Sequence, residues 1–142
     1  MSVNSGGAGP QVEREPLAGS LSLSLTVKDL QHSLAWYRDV VGFTVERQVE
    51  REGKVRSVAL RAGDVRILIN QDDGAKGWTR VKGEGFSLQI VTRQSVDAIA
   101  NGIRERGGAL ETEPADMPWG VRMFRLRDPD GYKLAVSSPR PA

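Results

Sequence analysis

A chain of 142 residues with 39% hydrophobic side chains can fill the core of one domain of ordinary size. Its net charge of +2, with basic residues scattered among 18 acidic ones, argues against nucleic acid as a partner, and the lack of cysteine excludes disulfides, thiolate catalysis and sulfur-ligated zinc. No apolar run approaches the roughly 20 residues that cross a bilayer and no secretory signal opens the chain, so a cytoplasmic protein without membrane contact is expected.

Residues 1–19 are rich in Gly, Ser and Pro and read as a flexible leader. From Leu21 the pattern is strict: Leu21, Leu23, Leu25 and Val27 alternate with Ser22, Ser24 and Thr26, which predicts a strand with one apolar and one small polar face. Asp29 caps a predicted helix to about Val41, with Leu30, Leu34, Tyr37 and Val41 in one stripe and Gly42 as its stop. FTVERQVE, VRSVALRAG and VRILINQ supply three more strands, joined by turns at Glu52-Gly53-Lys54 and Ala62-Gly63-Asp64. The first module, residues 20–71, is therefore βαβββ.

Residues 72–85 carry four glycines and no periodicity, and read as a linker. A second module, residues 86–139, repeats the pattern. Phe86, Leu88 and Ile90 alternate with Ser87 and Gln89, and a helix from about Ser95 to Arg106 carries Val96, Ile99 and Ile103 before Gly107-Gly108. ALETE, VRMFRLR and YKLAVSS are its remaining strands. In DPDGYKLAVSS, Pro129 sets the turn, Asp128 and Asp130 can accept from nearby backbone N–H groups, and Leu134 and Val136 take the places of Ile67 and Ile69. The two halves align with a spacing of about 65 residues, an internal duplication.

Two βαβββ modules, a helix reading SLAWYRDVVGF and a closing DPDGYKLAV resemble the vicinal oxygen chelate superfamily over about Ser20 to Pro139. That group includes glyoxalase I, extradiol dioxygenases, fosfomycin-modifying enzymes and bleomycin-resistance binding proteins. The resemblance implies an α+β fold in which two tandem βαβββ modules form a cupped, incomplete-barrel mixed sheet with the helices outside. In its metal-dependent members a His or Gln on the first strand of each module and a Glu on the last strand of each hold the ion. Those places fall here at Ser22, Ser87 (or Phe86 if the register slips by one), Leu68 and Ala135. None is an imidazole or a carboxylate, so no metal and no cofactor is expected. The one histidine, His32, lies off the apolar stripe of the first helix and reads as a surface residue.

Strand parity gives the inner lining: Ser22, Ser24, Thr26, Arg66, Leu68, Asn70, Ser87, Gln89, Met123, Arg125, Lys133, Ala135 and Ser137. Small hydroxyls leave room, Leu68 and Met123 offer apolar contact, Asn70 and Gln89 offer donors and acceptors, and Arg66 and Arg125 suit a carboxylate or phosphate. Trp119 and Trp78 lie outside the helix stripes and can stack on a planar ligand, whereas Trp36 reads as packing. PWGVRMFRLRDPDG is similar to the matching stretch of the bleomycin-resistance binding proteins, which hold a drug between two subunits. The expected protein is a homodimer that binds a small aromatic or anionic molecule without metal. Whether it is an enzyme stays open at this point. The alternatives are a lyase, isomerase or dioxygenase of the same superfamily with a non-standard active site, and an accessory module with a vestigial cup.

Overall fold

A computed structural model describes residues 14–140, so most of the expected leader lies outside the described residues. In chain order the elements are β1 (Leu23–Val27), α1 (Leu30–Ala35) continuing as a π-helical segment (Trp36–Val41), β2 (Thr44–Arg51), β3 (Lys54–Ala62), β4 (Val65–Gln71), β5 (Leu88–Val91), α2 (Val96–Glu105), β6 (Thr112–Asp116), β7 (Val121–Arg127) and β8 (Lys133–Pro139). They form two open four-stranded mixed sheets, ordered β1-β4-β3-β2 and β5-β8-β7-β6. The class is α+β.

The two sheets repeat each other strand for strand. Leu23 pairs with Ile67 and Leu25 with Ile69 along the parallel β1/β4 ladder, and Leu88 pairs with Leu134 and Ile90 with Val136 along β5/β8. Leu23 thus corresponds to Leu88, and Ile67 to Leu134. The helix-facing sides of both sheets supply one shared core. Leu25, Val58, Leu60, Ile67 and Ile69 from the first half join Phe124, Leu126, Leu134 and Val136 from the second, under Leu34 and Tyr37 of the first helix and Ala100 and Ile103 of α2. Trp36 packs against this cluster, edge-on to Tyr37 at 4.8 Å between ring centres.

Local chemistry sets the helix ends. The Asp29 carboxylate accepts the His32 N–H at 3.1 Å and the Ser95 hydroxyl accepts the Ala98 N–H at 3.1 Å, satisfying donors that each helix start leaves free. The first helix widens after Ala35, and both Gly42 and Phe43 donate to the Tyr37 carbonyl at 2.9 and 2.8 Å. Gly42 closes it at φ 110°, a left-handed conformation that a Cβ disfavours.

Three strands begin later than the sequence predicts: β1 at Leu23 rather than Leu21, β5 at Leu88 rather than Phe86, and β6 at Thr112 rather than at the start of ALETE. After Gly107-Gly108 the chain spends Ala109 and Leu110 returning to the sheet, with Leu110 packed on the core, and regular pairing starts only at Thr112 opposite Arg125. Pairing of β2 is irregular too, with shifts between Val45 and Arg47 and between Val49 and Glu50. The first of these decides which of its side chains face inward.

Candidate functional site

The face of each sheet turned away from the helices is built in rows. On the first sheet Leu68 stands opposite Ser24 on β1 and Ala59 on β3, and Ala59 in turn opposite Arg47 on β2. The next row holds Thr26, Asn70 and Ser57. A cavity of about 270 Å³ opens over the other end of this face, lined by Ser22, Glu46, Arg47, Ala59, Arg66 and Leu68. A second, of about 260 Å³, lies at the seam with β5, where Leu21, Leu23, Val65 and Arg66 meet Ser87 and Gln89. Arg66 is a wall of both.

On the second sheet Ala135 stands opposite Gln89 and Arg125, and Ser137 opposite Met123. Met123 and Ala135 are 3% and 2% exposed and lie outside the main core cluster, so this face is largely closed beside Arg125. Trp119 sits in the turn between β6 and β7 and is 64% exposed. Arg125, Met123, Ala135 and Trp119 line neither cavity. The predicted lining residues share the non-helical faces, but the open space gathers around Ser22, Arg66, Leu68, Ser87 and Gln89. Arg47 was not foreseen, because strict alternation from Thr44 turns Glu46 inward and Arg47 outward. The shift between Val45 and Arg47 puts Arg47 opposite Ala59 instead.

Two polar groups expected to be free are already engaged. The Asn70 amide donates to the Ser24 hydroxyl at 2.9 Å and to the Leu25 carbonyl at 3.1 Å, while its oxygen accepts from the Ser57 hydroxyl at 2.7 Å. Both amide hydrogens are used, so Asn70 ties three strands together. Gln89 donates to the Ser87 hydroxyl at 2.7 Å. The arginines behave oppositely. Arg61, Arg104, Arg122 and Arg127 pair with carboxylates, whereas Arg47, Arg66 and Arg125 form no ion pair among the described residues.

The positions that the resemblance assigns to metal ligands do not fit one. Leu68 and Ala135 have no donor atom, and Ser22 and Ser87 offer neutral hydroxyls, one of them spent on Gln89. Among the described residues no three His, Asp or Glu side chains gather in a way that would hold an ion. His32 is exposed near the start of α1.

The DPDG turn has a second role that the sequence reading missed. Asp128 Oδ1 accepts the N–H groups of Asp130 and Tyr132, both at 2.9 Å, and its Oδ2 accepts from the buried Tyr37 hydroxyl at 2.8 Å. Burial pushes the Asp128 carboxyl above the usual carboxylate range, outweighing the Tyr37 hydrogen bond that pulls it down, and it pushes the Tyr37 phenol up as well. Asp130 faces outward from the turn to the Lys28 N–H at 2.8 Å and to Lys82 Nζ at 2.9 Å. The same ammonium lies 3.1 Å from Asp72, and only 5% of the Lys82 side chain is exposed. Burial is the largest influence on Lys82 and disfavours its charge, but the two carboxylates together hold its pKa above the ordinary lysine value. Asp72 is held low, first by the Gly74 N–H and then by Lys82. A linker lysine thus joins the end of β4 to the turn before β8.

Residues 19–136 match the family described as Glyoxalase/Bleomycin resistance protein/Dioxygenase superfamily. A probable lactoylglutathione lyase from Synechocystis sp. is 25% identical over 122 residues, which are 82% of this chain and 92% of that protein. Among solved structures, a member of the glyoxalase/bleomycin resistance protein/dioxygenase superfamily from Sphaerobacter thermophilus superposes with a TM-score of 0.69 at 22% identity, covering 86% of this chain and 98% of the other. TnmS3, an antibiotic binding protein from Streptomyces sp. CB03234, does so with a TM-score of 0.66 at 22% identity, covering 89% and 99%. At such identities the structural likeness speaks for the fold.

Proposed function

The chain belongs to the glyoxalase/bleomycin resistance protein/dioxygenase superfamily, and on that footing we propose that it binds a small aromatic or anionic molecule on its non-helical faces without a catalytic metal. One contrast carries this reading. The places that would need imidazole or carboxylate to hold an ion bear Ser22, Leu68, Ser87 and Ala135, while cations without acidic partners stand over the same surface. An arginine whose fork is not already taken can accept a carboxylate or phosphate in two parallel hydrogen bonds. Leu68 and Ala59 give the body of the ligand apolar contact, and Ser22 and Ser24 leave space above them. The antibiotic-binding description of one structural neighbour supports a binding role.

In this reading the protein is cytoplasmic and works as a homodimer, with Trp119 and Arg125 closing the site from the second face. The enzyme reading rests on the probable lyase among the relatives. Thermal shift and calorimetry against a panel of aromatic carboxylates and aromatic antibiotics, with metal analysis of the same preparation and light scattering for its mass, separate the two. A ligand that binds only the folded state raises the melting temperature. Arg66→Ala, Arg125→Ala and Trp119→Ala should each weaken the hit about tenfold, or roughly 1.4 kcal/mol, while leaving the unliganded melting temperature within about 2 °C. Unchanged affinity in all three removes the site assignment. Stoichiometric metal together with turnover of a glutathione hemithioacetal replaces the binding reading with the enzymatic one.

A further inference from the structure

The internal repeat shows what is missing on one side of the molecule. In the second half the seam is plugged: the Tyr132 ring lies 6.0 Å from that of Phe86, and its hydroxyl donates to the Thr26 carbonyl on the facing first strand at 2.9 Å. The linker closes over that ring, near enough that a Cβ on Gly83 would come within 3.0 Å of Tyr132 Cδ1, and Lys82 pins it there. By the strand register the first-half counterparts are Val65 for Tyr132, Leu21 for Phe86 and Val91 for Thr26. Val65 is too short to cross the seam, and Leu21 is 79% exposed. After β8, where the linker would run, the Arg140 N–H donates instead to Gly120, alongside the start of β7.

What remains is a cavity of about 500 Å³ on the helix side of the seam, walled by Val41, Phe43, Val65, Ile90, Ile99 and Val136. That volume is in the range of small-molecule sites. Asp64, Gln94 and Arg106 stand at its polar margin, with Arg106 fixed by a 2.9 Å bond from Nε to the Val40 carbonyl. It touches the seam cavity described above only through Asp64, Val65 and Ile90 and contains neither Arg66 nor Arg125.

We propose that this cavity is a second ligand site that takes a small phenol, its ring where Tyr132 sits in the other half and its hydroxyl donated to the Val91 carbonyl. The internal repeat supplies the precedent, because the same fold holds a phenol side chain at the equivalent place in its other half. An apolar ring gains by leaving water for the valine and isoleucine walls, and one hydroxyl donor supplies direction.

Titrating the full chain, with labelled Val and Ile methyl groups, with 4-methylphenol tests this by NMR. Saturable shifts are expected at Val65, Ile90 and Ile99, with toluene about fivefold weaker for want of the hydroxyl. Val65→Tyr, which copies the second half, should abolish them and raise the melting temperature, whereas Arg66→Ala should leave them intact and so keep this site distinct from the one proposed above. Absence of saturable shifts at those methyls, equal binding of toluene, or loss of binding in Arg66→Ala overturns the proposal. Should Val65→Tyr fail to fold, the methyl map of the unaltered chain decides alone.

Discussion

Asp128 holds three donors with one carboxylate, and its burial makes the charge expensive while its geometry makes it hard to replace. Asp128→Ala leaves two backbone N–H groups and the Tyr37 hydroxyl without an acceptor, and should cost about 3 kcal/mol in urea unfolding. Asp128→Asn keeps the oxygen that serves both N–H groups, and its amide can donate to Tyr37, so at pH 7 it should lie within about 1 kcal/mol of the unaltered protein. The two should also diverge with pH in a fixed direction. Because the folded-state pKa is raised, the stability that Asp128 lends is complete below the ordinary carboxylate value and is lost as pH climbs through the raised one. Relative to Asp128→Asn, the unaltered protein should therefore gain stability between pH 7 and pH 4.5. A gap that is flat or widens the other way would refute the buried-carboxylate account.

At the scale of elements, the helices and strands were legible because their faces differ so sharply. Leu23 to Val27 alternates without a fault, Val65 to Ile69 keeps its branched residues at every second place although Leu68 interrupts the polar face, and the two strands end up paired in the register that alternation demands. The inner-face residues were legible for the same reason, since period two leaves only two choices. What failed were places where period two breaks. Arg47 turned inward through an irregularity in β2, and β6 began at Thr112 after a detour that no local pattern announces. Asn70 could be placed, but its prior commitment to Ser24, Leu25 and Ser57 depends on three strands at once. The contact between the helices is another such case. A Cβ on Gly108 would meet Ile103 Cγ2 at 2.5 Å and Val40 Cγ1 at 2.6 Å, both on branched side chains with little freedom to move aside. Gly108→Ala should cost about 2 kcal/mol and lower the melting temperature by roughly 6 °C, read by calorimetry. A neutral result would mean that the two helices can part at no cost.

For the molecule as a whole, duplication supplies two inner faces from one pattern, and divergence makes them unequal. The first stays open around Arg66 and Leu68, while the second is filled in by Met123; on the helix side, too, the halves differ, because Tyr132 plugs the seam in one of them only. Nothing in the alternation of DPDGYKLAVSS distinguishes a turn that merely reverses the chain from one that grips a distant lysine. Three-dimensional closeness of Asp72, Lys82 and Asp130 is needed for that.

The clasp formed by Lys82 has a practical consequence for how the polypeptide can be cut. Residues 75–80 are exposed, and the grip on Asp72 and Asp130 lies beyond them on the C-terminal side, so new ends opened there leave the clasp on one fragment and half its anchors on the other. Two separately expressed pieces, 1–76 and 77–142, should consequently find each other and rebuild the native spectrum when mixed. The same mixture carrying Lys82→Met should stay apart on a sizing column. Reassembly that ignores this substitution would show that the shared apolar core alone is glue enough.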